Sequence, residues 1–69
     1  MKFTIRGARE NTNPRLTQEQ VAKRLGVSTK TYQGYENGKT FMRIDKAKAF
    51  SEITGVPISE INFLPSNYG

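Results

Sequence analysis

Hydrophobic residues recur along the chain at the spacing of short amphipathic helices, and glycine and proline mark the breaks between them. No segment alternates convincingly between apolar and polar residues, which is the pattern typical of a half-buried strand. The pattern therefore predicts an all-α fold. We expect a single compact domain over residues 1–69, built from five short helices and without an internal repeat.

The first predicted helix lies near the N-terminus. Thr4 can cap this helix, which is expected to run to about Asn11 with Ile5 facing inward. Gly7 lies inside the helix and costs on the order of 1 kcal/mol relative to alanine, so the helix must depend on tertiary contacts. A loop follows, because Pro14 disfavours helical geometry at the residue before it.

The second and third predicted helices carry strong local signals. Thr17 caps the second helix, and Gln20, three residues later, completes a reciprocal capping box. Gly26 supplies the left-handed residue at which a helix commonly ends. Ser28 caps the third helix, and the Asn-Gly pair at 37–38 ends it. The inward positions of these two helices are Val21, Ala22, Leu25, Tyr32 and Tyr35.

Two further helices are expected in the C-terminal part of the chain. The fourth spans about Ile44 to Thr54 and ends at Gly55. Its inward positions at helical spacing are Ile44, Ala47, Phe50 and Ile53. Ser59 is expected to cap the fifth helix, which carries Ile61. Residues 66–69 are expected to form a frayed tail.

Composition narrows the possible chemistry. The chain has no cysteine and no histidine, so the usual ligands of a zinc site are missing and we expect no metal or other cofactor. The sequence also offers no clustered carboxylates, which leaves no material for general acid–base or nucleophilic catalysis. A core built from 69 residues is too thin to house a deep cavity as well. Neither an enzyme nor a small-molecule sensor is therefore expected.

The chain lacks the signals that would direct it to a membrane or out of the cell. No apolar run approaches the ~20 residues of a membrane span. The N-terminal segment MKFTIRGARE lacks the apolar stretch of a signal peptide. The absence of cysteine suits a reducing compartment. We expect a cytoplasmic protein that makes no membrane contact.

Positive charge is concentrated in the first two thirds of the chain. All eleven Lys and Arg lie in residues 1–48 together with four of the six acids, whereas residues 49–69 contain only the other two acids. The first part therefore has a net charge of +7 and the second a net charge of −2. A basic body with a faintly acidic, apolar tail indicates two surfaces with different partners, although an ordinary solvated basic face would give the same totals.

Residues 18–37 have the spacing of a helix-turn-helix. Ala22 falls where the two helices are expected to cross at a steep angle. A small residue suits this position, because a larger side chain would push the helices apart. Gly26 must turn the chain within very few residues. The inward residues around these two positions hold the later helix against the earlier one and leave its polar face outward. In such a motif the later helix lies in the major groove of DNA.

The segment LTQEQVAKRLGVSTKTYQGYENGK, at 16–39, resembles the Cro/repressor (XRE-like) family of phage and bacterial regulators, and the wider pattern covers about residues 5–64. The resemblance implies a lambda-repressor-like domain of five helices that binds operator DNA, usually as a homodimer, in a bacterial or phage-infected cell. Three features depart from the family pattern. Gly34 stands where a larger polar side chain is common, Tyr32 replaces an aliphatic residue, and the loop at 11–15 is slightly long.

The outward residues near the start of the third helix are candidates for contact with base edges. Lys30 can donate to guanine O6 or N7, Gln33 can pair with adenine N6 and N7, and Thr29 can offer its hydroxyl or methyl group. Gly34 has no side chain, so it permits close backbone approach or else weakens sequence discrimination. The alternative interpretation of all four is an ordinary solvent-facing helix surface.

A second group is expected to contact DNA phosphates. Gln18 lies at the N-terminus of the second helix, where backbone N–H groups and the helix dipole favour an anion. The other members of the group follow the third helix and flank the same backbone, namely Asn37, Lys39, Thr40 and Arg43. Four of the other basic residues are interpreted as solvated, namely Lys23, Arg24, Lys46 and Lys48.

Structural roles are expected for two further groups. The resemblance implies a partly buried ion pair between Arg9 and Glu36 that specifies geometry. Tyr32 and Tyr35 are expected in the core and not as platforms for base stacking. The apolar residues near the C-terminus exceed what a short helix needs for its own packing. The apolar residues that the core does not need are expected to form a two-fold interface between two copies of the chain. The candidates are Ile58, Ile61, Phe63 and Leu64.

Two functions are compatible with these features. The first is a sequence-specific regulator of transcription that binds double-stranded DNA. The second keeps the fold but makes the chain a protein-interaction module, such as an anti-repressor or modulator that binds a partner regulator. Gly34 and the apolar tail favour the second function slightly. Retention on heparin and a gel shift with random duplex DNA would distinguish the two.

Overall fold

The computed structural model describes residues 2–63, and within them four α-helices are joined by short turns and closed by a small pair of strands. The elements are β1 Phe3–Thr4, α1 Ile5–Glu10, α2 Gln18–Leu25, α3 Thr29–Asn37, α4 Ile44–Thr54, a single 3₁₀ turn at Ile58–Glu60, and β2 Ile61–Asn62. None of these helices has the length and apolar character needed to cross a bilayer.

Helix α2 begins and ends at the residues predicted from its caps. The Thr17 hydroxyl accepts a hydrogen bond from the backbone N–H of Gln20 at 3.0 Å, and the Gln20 side-chain oxygen accepts one from the backbone N–H of Thr17 at 2.8 Å. Both bonds satisfy N–H groups that have no partner inside the helix. Gly26 then ends α2 in the left-handed conformation, with φ at 78°. The predicted capping box is confirmed.

Helix α3 ends in a turn that brings the following loop back onto the helix. Ser28 caps its first turn by accepting from the backbone N–H of Thr31 at 3.0 Å. At the other end Gly38 is left-handed, with φ at 79°, and the backbone N–H of Lys39 donates to the carbonyl of Gly34 at 2.9 Å. This is the bonding pattern of a Schellman motif, which satisfies carbonyls at a helix C-terminus. Residues 39 and 40 are therefore held close to the end of α3.

The core lies where α2, α3 and α4 meet, with α1 covering one side. Tyr32, Phe50 and Val21 are its largest fully buried side chains. The Tyr32 ring is 6.2 Å from Tyr35 in an edge-on arrangement and 6.3 Å from Phe50, measured between ring centroids. The two tyrosines thus belong to the core, as predicted, and they support α3 from behind.

The expected fifth helix and the strictly all-α fold are wrong for the described residues. Residues 58–60 form one 3₁₀ turn, and the chain then extends into β2, which pairs in parallel with β1. Phe3 pairs with Ile61 and Thr4 with Asn62, and the Lys2 backbone N–H donates to the Glu60 carbonyl at 3.0 Å. The backbone after the turn therefore finds its hydrogen-bond partners in the N-terminal segment and not in a helix of its own.

Two positions on α4 also differ from the prediction. Ile44, expected on the inward stripe, is 67% exposed because it is the first residue of the helix and lies beyond the core. Lys46, interpreted as solvated, is half-buried, and its ammonium donates to the Leu25 carbonyl at 2.9 Å. That carbonyl belongs to the last turn of α2, whose carbonyls have no partners within the helix. Lys46 therefore links α4 to the end of α2.

Candidate nucleic-acid interface

The two sides of α3 have opposite character. Tyr32 and Tyr35 are buried against the core, whereas Lys30, Gln33 and Asn37 are exposed. This separation follows from the helical period, since residues three and four apart share a face. The apolar side determines how α3 is oriented, and the polar side is left available to a partner.

The exposed side of α3 and the loop after it form one concave surface, which we call the α3 surface. Its lining residues are Ser28, Lys30, Thr31, Gln33, Gly34, Asn37, Lys39 and Thr40. Six of the nine predicted contact residues are thus brought together. Two of the others lie outside this lining: Thr29 is half-buried at the start of α3, and Arg43 is exposed at the N-cap of α4. Gln18, on α2, reaches the surface through a hydrogen bond to Gln33.

The charge presented by α3 is positive because its single acidic residue faces inward. The Glu36 side chain is only 4% exposed and pairs with Arg9. Lys30 on the helix and Lys39 just after it are both exposed. The α3 surface therefore carries two cations and no carboxylate, an arrangement suited to a polyanion.

Arg9 and Glu36, expected to pair, form a buried ion pair between α1 and α3. Arg9 Nε donates to Glu36 Oε2 at 2.7 Å, and Arg9 Nη1 donates to the Leu16 carbonyl at 3.0 Å. Burial by itself would raise the pKa of the Glu36 carboxyl, but the guanidinium of Arg9, together with the neighbouring polar groups of Tyr32 and Gln18, outweighs it and lowers that pKa. Glu36 is therefore ionised at neutral pH and holds α1, the start of α2 and α3 together.

The Tyr32 hydroxyl lies next to this ion pair. Tyr32 is fully buried, and its hydroxyl has no hydrogen-bond partner among the described residues. Burial raises the pKa of this phenol, so it is neutral at physiological pH. Tyr32 thus places a hydroxyl beside the Arg9–Glu36 pair, at a position where the family pattern has an aliphatic residue.

Gln18 is engaged with protein groups and not simply solvated. Its side-chain N–H donates to Glu36 Oε1 at 2.9 Å, and its side-chain oxygen accepts from Gln33 Nε2 at 3.2 Å. Gln18 Nε2 retains one further hydrogen for a ligand. Gln33 uses one of its two N–H hydrogens and keeps its carbonyl oxygen free of these contacts.

Gly34 has a structural role that was not predicted, and its effect on sequence discrimination stays a prediction. It is buried, and a Cβ atom placed there would lie 2.9 Å from Thr40 Oγ1. The absence of a side chain therefore makes room for the loop that returns after Gly38, and Thr40 occupies the space that a residue at position 34 would fill. Gly34 itself is not an exposed backbone site, because Thr40 covers it.

Of the apolar residues expected in a two-fold interface, the three that the structure describes do not form one exposed group. Ile61 pairs with Phe3 in the two-stranded sheet, is 2% exposed and belongs to the core, so it is not available to a partner. Phe63 is half-buried, with its ring 6.3 Å from that of Phe50. Ile58 is 37% exposed. Leu64 lies outside the described residues.

Two residues of the α3 surface were not predicted as contact residues. Ser28 and Thr31 both line it, and the Ser28 hydroxyl donates to the Thr31 hydroxyl at 3.0 Å. Ser28 was identified only as a helix cap. The Ser-x-x-Thr spacing was the available signal, since a capping hydroxyl and the residue three positions later share the first turn.

Comparison with known proteins gives a family for the chain. Residues 5–61 match the profile of a protein family described as helix-turn-helix. Over 46 residues the chain is 37% identical to the cryptic phage CTXphi transcriptional repressor RstR of Vibrio cholerae, an alignment that covers 67% of this chain and 41% of that protein. No solved structure matches the chain significantly. Since the family profile covers most of its length, the chain belongs to the helix-turn-helix family, and the predicted resemblance to regulators of the Cro/repressor type is confirmed.

Proposed function

We propose that the chain is a sequence-specific regulator of transcription that binds double-stranded DNA and places α3 in the major groove. One observation carries this proposal. The α3 surface is polar, positively charged and concave, while Tyr32 and Tyr35 on the opposite side of the same helix are buried in the core. The family to which the chain belongs supports the same function, and the similar Vibrio cholerae protein is a phage transcriptional repressor.

Base contacts are assigned to the exposed side of α3. The nine residues of this helix span about 14 Å, which is enough to follow roughly four base pairs of groove floor. Lys30 donates to guanine, and Gln33 contacts adenine. Thr29 is a weaker candidate because it is half-buried.

Phosphate contacts are assigned to residues around the same surface. Asn37, Lys39 and Thr40 line its far end, and Arg43 is exposed just beyond them. Gln18 offers its remaining side-chain N–H at the start of α2, where the helix dipole also favours an anion. These contacts would set the register of the domain on the duplex without selecting a sequence.

Two copies of the chain are proposed to bind one operator. A single α3 reaches only a few base edges, and joining two half-sites one helical turn apart raises affinity through effective concentration. Ile58, which is exposed, and Phe63, which is half-buried, are the apolar candidates for the contact between copies. Light scattering on the protein with and without selected DNA measures the stoichiometry. One copy per duplex at every concentration would contradict the proposal.

Selection from a random pool of duplex DNA tests the proposed function directly. We expect enrichment of a short sequence with two-fold symmetry and a steep loss of binding as salt increases, because each phosphate contact releases counterions. Lys30→Ala should blunt discrimination at one or two base pairs and leave binding to unrelated DNA nearly intact. Lys48→Ala is the matched control, since Lys48 is an exposed helix residue that does not line the α3 surface. If Lys30→Ala left the enriched sequence and its ratio to unrelated DNA unchanged, the assignment of Lys30 would be wrong.

A protein-interaction module is the second candidate function. The observation that favours it is two exposed apolar side chains, Phe41 in the loop after α3 and Ile44 at the first position of α4, which are 65% and 67% exposed. A partner regulator could cover them, as an anti-repressor of the same fold would require. Negligible retention on heparin at low salt, together with no shift of random duplex DNA, would favour this function over DNA binding.

A further inference from the structure

A chain of hydrogen bonds runs from the buried ion pair to the exposed side of α3. Arg9 Nε donates to Glu36 Oε2 at 2.7 Å, Gln18 Nε2 donates to Glu36 Oε1 at 2.9 Å, and Gln33 Nε2 donates to Gln18 Oε1 at 3.2 Å. The inner end of this series of hydrogen bonds is buried, since the side chains of Arg9 and Glu36 are only 10% and 4% exposed. The last group, Gln33, is exposed on the α3 surface.

The chemistry of the carboxylate fixes the direction of every bond in this chain. An ionised carboxylate can only accept, so Gln18 must turn its NH₂ group toward Glu36 and its carbonyl oxygen outward. The outward carbonyl can only accept as well, so Gln33 must turn its NH₂ group toward Gln18. A glutamine amide without such neighbours has two orientations of nearly equal size and shape. Here one orientation of Gln33 satisfies the chain, and the flipped one places two carbonyl oxygens against each other.

We propose that Gln18 and Glu36 are positioning residues that set which hydrogen-bonding groups Gln33 presents to a base. This inference rests on the proposed function, that α3 lies in the major groove. In the orientation set by Gln18, Gln33 presents its carbonyl oxygen and one N–H. That pair of groups complements the N6 donor and N7 acceptor of adenine. The preference for a base would then depend on Gln18, which lies on another helix.

The decisive experiment compares sequence preferences of three variants selected from a random pool of duplex DNA. Gln18→Met removes the middle amide at similar size and keeps both members of the Arg9–Glu36 pair. Gln33→Ala removes the contact itself. Gln20→Met is the matched control, because Gln20 lies on the same helix and its side chain accepts from the Thr17 backbone N–H in the capping box, away from Glu36 and Gln33.

We expect Gln33→Ala to lose its preference at one position of each half-site by roughly tenfold, in keeping with the discrimination given by a bidentate contact. Gln18→Met should lose the preference at that same position by a comparable factor, whereas Gln20→Met should keep it. A Gln18→Met protein that retained the wild-type preference would overturn the inference. So would a Gln18→Met protein that bound all sequences more weakly by the same factor, because Gln18 would then contact phosphate only.

A measurement on the free protein separates positioning from a general loss of structure. The side-chain NH₂ signals of Gln33 in nitrogen-edited NMR spectra should shift in Gln18→Met and stay in place in Gln20→Met, while the backbone spectrum of α3 is retained. Unchanged Gln33 signals in Gln18→Met would show that the bond does not orient the amide. If the wild-type protein enriched no DNA sequence at all, the proposed function would fail and the inference with it. If the wild type enriched a sequence and Gln18→Met kept the same base preference, the inference would be wrong and the proposed function would stand.

Discussion

At the scale of single residues, Arg9 and Glu36 form the buried ion pair that joins α1 to α3. Their side chains are almost fully enclosed, and the guanidinium also holds the Leu16 carbonyl. A buried ion pair adds little by comparison with apolar residues of the same shape, but removing one partner leaves the other charge buried without compensation. The pair therefore specifies how α1 and α3 meet, and replacing either Arg9 or Glu36 alone should destabilise the fold.

Glu36→Gln tests this sensitivity and its dependence on pH. At neutral pH we expect the free energy of unfolding of the variant to be lower by about 3 kcal/mol. That is a large part of the roughly 3–10 kcal/mol of unfolding free energy typical of a chain this size. The folded protein holds the pKa of Glu36 below its ordinary value of 4.5, so the unfolded chain takes up the proton first as the pH falls. The wild type should therefore lose stability as the pH falls from about 4.5 toward the lower, folded pKa, and recover it on returning to neutral pH.

Urea unfolding at a series of pH values measures both effects. In Glu36→Gln the part of the acid-induced loss that belongs to this carboxyl should be missing, so the two stability curves should converge at low pH. Glu52→Gln is the control, because Glu52 is exposed on α4 and forms no ion pair among the described residues. Parallel curves for the wild type and Glu36→Gln across the acid range would contradict the assignment of this carboxyl.

Gly34 and Thr40 are expected to be coupled. Alanine in a helix interior is about 1 kcal/mol more favourable than glycine, but a Cβ at position 34 would lie 2.9 Å from Thr40 Oγ1. Gly34→Ala alone should therefore give little or no gain in the free energy of unfolding. In a Thr40→Ala background the same change should stabilise the protein by roughly 0.5–1 kcal/mol, because the hydroxyl is gone. A double-mutant cycle measures the coupling energy between positions 34 and 40. Purely additive effects would contradict the coupling, because they would show that the Thr40 side chain moves aside without cost.

At the scale of helices and turns, the sequence was most informative where the signals are local. Thr17 with Gln20, Ser28, and the glycines that follow α2, α3 and α4 lie within one turn of the helix ends that they determine. Cap chemistry depends only on neighbouring residues, so it can be recognised without knowing the fold. The bounds of the helix-turn-helix followed from these signals.

The caps give a paired prediction at this scale. Thr17→Ala should cost about 1 kcal/mol, because it removes the hydroxyl that accepts from Gln20 at the start of α2. Ser59→Ala should cost close to nothing, since Ser59 was expected to cap a helix but lies exposed in a 3₁₀ turn that has no side-chain cap. Thermal unfolding of both variants measures the contrast. Equal losses in the two variants would mean that the capping box does not stabilise α2.

Elements that depend on distant partners could not be predicted in the same way. Strands β1 and β2 have two residues each, too few to show an alternating pattern, and their pairing joins the two ends of the described chain. The bond from Lys46 to the end of α2 and the bond between Gln18 and Gln33 likewise join residues far apart in sequence. For the same reason the sequence indicated which residues of α3 are polar but not that Thr40 covers Gly34.

At the scale of the whole molecule, charge and packing divide the protein into two regions. The basic residues lie in residues 1–48, which also contain the helix-turn-helix, whereas residues 49–63 mostly supply the far side of the core. The inward turn of Glu36 sharpens this division, because it removes the acid of α3 from the surface. Non-specific attraction to DNA and base discrimination are therefore expected to depend on different residues of one surface.

The salt dependence of DNA binding tests this separation. Lys39→Ala removes a cation that lines the α3 surface beyond the end of the helix, so the slope of log affinity against log salt should fall in magnitude by roughly 0.9. The preferred sequence should not change, because a phosphate contact carries no base information. Lys23→Ala is the control, since it removes an equal charge from an exposed position outside this surface and should leave the slope nearly unchanged. Fluorescence anisotropy with a selected and a scrambled duplex over a range of salt concentrations measures both quantities. If the two variants lowered the slope equally, total charge would account for binding and the α3 surface would have no special part in it.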